Sequence, residues 1–151
     1  MQQDFTRTLR LAASPDAVFD AIRDVRRVAS WISIVKDVKD VEPPGRYTAL
    51  LEDRIGPFAM RADLKVEVRE TGARAMRVTA SGEDRQVGSR IGATIDLEAK
   101  EADGGTELAI AGRYEVVGRV ATLGAAAIRT KGDKILNEFA KSAEKELGSL
   151  S

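Results

Sequence analysis

The chain has 151 residues, 24 Lys and Arg balanced by 24 Asp and Glu, and neither histidine nor cysteine. These absences exclude zinc fingers, Ser-His-Asp triads, cysteine nucleophiles and thioredoxin-type redox pairs, along with the side chain most used for general acid–base catalysis. With 43% hydrophobic and 32% charged residues, the composition is that of an ordinary globular chain. Its length suits one domain, residues 1–151, able to bury about 70% of its unfolded surface. A net charge of zero argues against long-range attraction to nucleic acid.

Met1 to Thr8 is polar and has no apolar core of the kind a signal peptide needs, so a cytoplasmic protein is expected. From Asp4 to Ala12 apolar and polar residues alternate, with Phe5, Leu9 and Leu11 on one side, which predicts a half-buried strand. Ser14-Pro15-Asp16 then supplies an N-cap hydroxyl, a proline at the first helical position and an acid in the first turn. Val18, Phe19 and Ile22 face the core from the short helix this predicts, and a second helical piece is expected over Arg26 to Trp31.

From Val35 onward the pattern is a strand meander. Its turns are marked by Pro43-Pro44-Gly45, Gly56-Pro57, Thr71-Gly72, Gly82-Glu83-Asp84 and Asp103-Gly104-Gly105. The strands expected between them are Arg46 to Ile55, Phe58 to Arg69, Ala73 to Ser81, Val87 to Ala99 and Thr106 to Val117. Alternation is strictest in the second, where Phe58, Met60, Ala62, Leu64, Val66 and Val68 oppose Arg61, Asp63, Lys65, Glu67 and Arg69. A sheet with one apolar and one charged face is antiparallel and needs a layer over its apolar side.

That layer is expected from Arg119 to about Leu147, where Leu123, Ala127, Ile135, Phe139, Ala143 and Leu147 recur four residues apart or at multiples of four. Such a helix measures about 43 Å, close to the roughly 40 Å of a twelve-residue strand. The prediction is an α+β arrangement, one long amphipathic helix across a curved antiparallel sheet of about seven strands. No apolar run approaches the roughly 20 residues of a membrane span.

Three features raise the question of a site. The first half of the long helix is nearly all small residues, Gly124 to Ala127 and then Gly132, which calls for either close backbone approach or a cavity beneath. Lys131 interrupts the apolar stripe. It either snorkels to water or puts a positive charge at a cavity mouth, where it would hold a carbonyl or phenolate oxygen. Trp31, the only tryptophan, either plugs the core edge or lines a pocket mouth with Phe58 and Met60; Met76 has the same two readings. The candidate lining is completed by Val78, Ile95, Ile110 and Tyr114 from the strands and by Ile128 and Ile135 from the helix. Asp16, Asp20 and Asp24 read as a solvated helix face, and Glu83-Asp84-Arg85 as an exposed turn. No phosphate loop, metal cluster or catalytic carboxylate pair stands out.

The segment from Ser14 to Asp24 is similar to the opening helix of the START-like, helix-grip proteins, the polyketide cyclase and lipid-transport group. Within that group the chain resembles CoxG, a family of carbon monoxide dehydrogenase subunits. The resemblance lies in Ile55-Gly56-Pro57-Phe58, in Gly92 to Leu97 with Gly105 to Leu108, and in Tyr114 to Gly124 leading into the final helix, with Phe139 at an aromatic position. It departs from the family in reading Trp31-Ile32-Ser33-Ile34 where a Pro-Gly turn is usual. It also stops at Leu150-Ser151, where relatives often continue into a tail with a membrane anchor.

The leading expectation is a non-catalytic protein holding a hydrophobic small molecule between sheet and helix, a lipid or isoprenoid quinone because a long apolar cavity suits a long apolar tail. Lys131 or Tyr114 would fix its head group. The resemblance implies an accessory partner of a carbon monoxide dehydrogenase-type oxidoreductase; peripheral membrane contact and no cofactor are expected. Two alternatives stand beside it. One is a cyclase- or dehydratase-like enzyme using Tyr47, Tyr114 or Lys131 in the same cavity. The other is an interaction module with a filled core.

Overall fold

The computed structural model describes residues 1–42 and 44–150. Strand β1 (Gln2–Leu11) is followed by two short helices, α1 (Pro15–Ile22) and α2 (Val25–Ala29). Six strands come next: β2 (Val35–Val41), β3 (Arg46–Ile55), β4 (Phe58–Gly72), β5 (Ala75–Asp84), β6 (Ser89–Ala102) and β7 (Gly105–Gly118). A 3-10 turn (Arg119–Leu123) leads into the long helix α3 (Ala125–Leu147). The turn expected at Pro43-Pro44-Gly45 includes Pro43, which lies outside the described residues.

Both short helices start on side-chain caps. Ser14 Oγ accepts from the Ala17 amide at 3.2 Å, and Asp24 Oδ1 accepts from the Arg27 amide at 3.2 Å. Asp24 is exposed, as expected, and is also the N-cap of α2. It starts α2 ahead of the expected Arg26 and leaves Trp31 beyond the helix end.

The strands form one antiparallel sheet in the order β1-β7-β6-β5-β4-β3-β2. The chain meanders from β2 to β7, and β1 returns to pair along β7, with Gln3 opposite Tyr114 and Leu9 opposite Leu108. Strand β5 runs past the expected turn at Gly82-Glu83-Asp84, since Gly82 pairs with Ile91 and Asp84 with Ser89. The turn falls after Asp84, whose buried carboxylate accepts from the Val87 amide at 3.0 Å and the Arg61 amide at 2.7 Å. Asp84 thus organises the hairpin from a buried position instead of sitting in an exposed turn.

The final helix is also shorter than its apolar spacing suggests. Gly124 has φ +94 with open space around its Cβ position. That backbone conformation is essentially confined to glycine, so it separates the 3-10 turn from α3. Gly124 is a boundary residue, not a helix-interior one, and Ala127 is exposed rather than part of the stripe. The other end of α3 is tied to the β1–α1 junction. Ala12 donates to Gly148 O at 3.0 Å and Ala13 to Leu147 O at 2.9 Å.

Two separate apolar clusters hold the layers together. One gathers Leu9, Leu11, Phe19, Ile22, Trp31, Met76, Leu97, Leu108 and Ile110 around Phe139, Ala143 and Leu147 of α3. The other gathers Ala49, Leu51, Met60, Ala62, Leu64 and Val116 around Val120 and Ile128. Fully burying one such Leu, Ile or Met side chain stabilises the fold by about 1.5–3 kcal/mol.

Candidate ligand-binding site

Between the two clusters, the strand register lines up two rows of inward-facing residues across the sheet. One row runs Tyr47, Val66, Ala80, Ala93, Tyr114; the next runs Val68, Val78, Ile95, Gly112, Phe5. None of these residues is fully buried, although the rows cross the middle of the sheet on its covered face. The flanking inward residues Leu64, Met76, Leu97, Ile110 and Val116 are buried.

The helix behaves in the same way. Its buried residues are Ile128, Phe139, Ala140, Ala143 and Leu147. About three turns between Ile128 and Phe139 therefore bury nothing completely, and Lys131, Gly132, Ile135 and Leu136 are half-buried there. Incompletely buried residues on both facing surfaces, in the middle of both elements, mark where an apolar trough between sheet and helix would lie. With strands about 4.8 Å apart, the four spacings from β3 to β7 make it about 19 Å long.

The eleven expected site residues divide among these surroundings. Val78, Ile95 and Tyr114 belong to the trough rows, and Lys131 and Ile135 are half-buried on α3 beside it. Ile128 and Met60 are buried in the second cluster, with Phe58 packed against its edge. Trp31, Met76 and Ile110 are buried in the first cluster. Trp31 does not meet Phe58 and Met60, which is a correction of the expected grouping. Its ring packs edge-on against Phe139 at 5.4 Å, and its Nε1–H donates to Glu146. Glu146 also accepts from Arg27 Nε at 2.8 Å, and Glu138 accepts from the Ser33 amide at 2.6 Å. The loop after α2 is thereby clamped onto α3, and Trp31 acts as the plug.

The two flanks of α3 carry different polar groups. Toward β1, Gly132 passes over Tyr114, whose Oη lies 2.8 Å from where a Cβ at Gly132 would stand. Burial, reinforced by the Asp133 charge and opposed by Arg129, pushes the Tyr114 phenol above its ordinary pKa. The hydroxyl stays a neutral hydrogen-bond donor. Arg129 Nη2 donates to Gln3 Oε1 at 2.7 Å on the same flank. Toward β3, Lys131 Nζ lies 2.9 Å from Asp53 Oδ2, the side chains 27% and 11% exposed. Lys131 is thus paired with an inward carboxylate rather than simply reaching water.

Asp53 escaped the sequence-based expectations, as did the small floor residues Ala80, Ala93 and Gly112. A signal was present for Asp53. It continues the inward series Tyr47, Ala49, Leu51 with a charge, just as Lys131 breaks the helical stripe with the opposite charge. The alanines carried no such signal, because alanine is as common in filled cores as in hollow ones.

Two concavities adjoin these layers. A crevice of about 220 Å³ lies where β1 meets α3, lined by Gln3, Phe5, Tyr114, Arg129, Gly132, Asp133 and Leu136, among others, so it shares Phe5 and Tyr114 with the two rows. A broad hollow of about 1570 Å³ lies on the outer face of the sheet among Arg61, Asp63, Lys65, Glu67, Arg90 and Arg113, and its lining also takes in Tyr47, Val66, Ala80 and Ala93 of the first row. Side chains of both signs line it and it opens widely to solvent, so it offers an apolar molecule little removal from water. Among the described residues no group of three metal-ligating side chains occurs, and no helix is long and apolar enough to cross a membrane.

A curved seven-stranded antiparallel sheet around a long C-terminal helix, with two short helices after the first strand, is the helix-grip, START-like fold. The chain belongs to the CoxG family of carbon monoxide dehydrogenase subunits, whose model matches residues 8–148. Among solved structures it is similar to a conserved protein from Geobacillus kaustophilus, with TM-score 0.81 and 18% identity, covering 97% of this chain and 95% of that one. It is also similar to a START superfamily protein from Mycobacterium smegmatis, with TM-score 0.65 and 13% identity over 97% and 96% of the two chains. The Zhui aromatase/cyclase from Streptomyces sp. R1128 superposes with TM-score 0.65 and 15% identity over 96% and 95%. At these identities the likeness is one of fold. No curated protein matches the chain by sequence.

Proposed function

We propose that this protein is a non-catalytic carrier that holds one hydrophobic small molecule in the trough between sheet and α3. The observation that carries the reading is the pair of half-exposed inner rows from Tyr47 to Tyr114 and from Val68 to Phe5, lying between two well-packed clusters. Apolar surface left open in the middle of a covered face costs stability that filling it would recover. A bound apolar ligand recovers it. Val78, Ile95, Tyr114, Lys131 and Ile135 would touch the ligand, with Ile128, Phe58 and Met60 at one end. Trp31, Met76 and Ile110 would support the other wall from behind.

A trough about 19 Å long and floored by small residues suits a chain-like molecule, hence a lipid or an isoprenoid quinone. Family membership supports an accessory role beside a carbon monoxide dehydrogenase-type oxidoreductase. That role suits a cytoplasmic protein with peripheral contact to a membrane that supplies the ligand, and we take residues 1–151 as one ligand-binding domain. Carrying is favoured over cyclase-like catalysis by Tyr114. Its raised pKa suits donating a hydrogen bond to a ligand oxygen and not removing a proton.

The test is native mass spectrometry of the purified protein after incubation with a bacterial membrane lipid extract. Adducts corresponding to one lipid or quinone per chain are expected. A spectrum showing only the bare chain, together with no uptake of the neutral dye Nile red, would rule the carrier reading out.

A further inference from the structure

Asp53 and Lys131 form an ion pair beside an apolar trough, in a place where the fold has no need of one. Asp53 projects from the inner face of β3 between Leu51 and Ile55, opposite Met60, and its Oδ2 is shielded from solvent. Lys131 lies three residues after Ile128 and four before Ile135, on the turns of α3 that border the trough. Replacing such a pair with apolar residues is often neutral or stabilising, so its contribution to folding is a weak reason for its presence.

Its hydrogen-bonding capacity is largely unspent. Asp53 Oδ2 touches Lys131 Nζ without a well-directed hydrogen bond, and no other partner of Lys131 Nζ is found among the described residues. An ammonium group has three donors and a carboxylate about four acceptor sites, so both groups can take a further partner.

Resting on the carrier reading, we propose that the Asp53–Lys131 pair selects ligands with a neutral, hydroxyl-bearing head group over anionic ones. A phenol-type hydroxyl satisfies both members at once, donating its proton to Asp53 and accepting from Lys131. A carboxylate or phosphate gains little, because Asp53 already neutralises Lys131 and repels a second anion. Lys131 alone would favour the anion; Asp53 sets the preference.

The experiment compares displacement of Nile red by 4-octylphenol, by decanoate and by octylbenzene at pH 7.5, each below its micellar or solubility limit. The wild-type chain is expected to bind 4-octylphenol at least tenfold more tightly than decanoate. Asp53→Asn is expected to cut that ratio at least tenfold by tightening decanoate. The double variant Asp53→Leu with Lys131→Met, which makes the site apolar and uncharged, is expected to lose the tighter binding of 4-octylphenol over octylbenzene that the wild type shows, while still rejecting decanoate. Decanoate binding as tightly as 4-octylphenol to the wild type, a ratio unchanged in Asp53→Asn, or an unchanged preference for 4-octylphenol over octylbenzene in the double variant overturns the proposal, while dye uptake by the wild type leaves the carrier reading standing. Absence of Nile red uptake overturns both.

Discussion

The hydroxyl of Tyr114 occupies the space that a side chain at position 132 would need, 2.8 Å from the Cβ site of Gly132, with ring carbon Cζ at 3.1 Å. Glycine in the middle of α3 gives up as much as about 1 kcal/mol of helix propensity relative to alanine. Here it is required by a side chain crossing from β7, not by close backbone packing. Gly132→Ala should therefore be neutral or destabilising in the wild type, because the Tyr114 ring must move. In a Tyr114→Phe background, where the hydroxyl is gone and Cζ at 3.1 Å remains, it should cost less. Urea denaturation of the four proteins should give a coupling of about 0.5–3 kcal/mol. Additive effects would mean that the two residues do not compete for space.

Asp84 ties the β5–β6 turn to β4 through a buried carboxylate. The backbone N–H groups of Arg61 and Val87 hold its pKa below the ordinary range; burial opposes them, and a third N–H from Gln86 assists. A depressed folded pKa stabilises the fold fully above the unfolded value of about 4, and that stability is lost as pH falls through the lower folded value. Asp84→Asn should cost about 1–3 kcal/mol at pH 7. The gap to wild type in urea should narrow at pH 3, and an equal gap at both pH values would contradict the role given to the charge.

Trp31 reports on a second carboxylate. Arg27 first, then the indole N–H of Trp31, hold the Glu146 pKa below its usual value. The contact should persist through the ordinary carboxylate range and break only as pH falls through the lowered value. As the only tryptophan, Trp31 makes this visible in its fluorescence. The emission should shift with a midpoint below that of a free glutamate, and in Arg27→Met the midpoint should rise toward it. A midpoint that ignores Arg27 would dissociate the guanidinium from the clamp.

The strands were legible because the second of them alternates without a break from Phe58 to Val68, and period two leaves little freedom about which face is buried. The start of α3 was not. Alanine-rich sequence from Ala125 onward reads as helix, and nothing in the spacing reveals that Gly124 takes a backbone conformation that ends the preceding turn. Trp31 was singled out correctly as unusual and placed with the wrong neighbours. Its partners Phe139 and Glu146 lie more than a hundred residues away, and pairing across that distance leaves no local trace. Lys131 announced itself by breaking a stripe, whereas its meaning depends on Asp53. The trough itself rests on register, since only the pairing of Val66, Ala80, Ala93 and Tyr114 places four modest residues in one line.

That line is where the account is most exposed to test. Ala93 faces inward between Ala80 and Tyr114 and is half-buried. If the space beneath α3 is open for a ligand, Ala93→Phe fills it without crowding. Nile red titration of this variant beside the wild type, with a urea curve for each, is the most direct measurement. The account predicts loss of dye uptake with stability kept within about 1 kcal/mol of wild type, below the cost of overpacking a filled core. Undiminished uptake, or a loss of about 1–3 kcal/mol of the kind such overpacking produces, would contradict it.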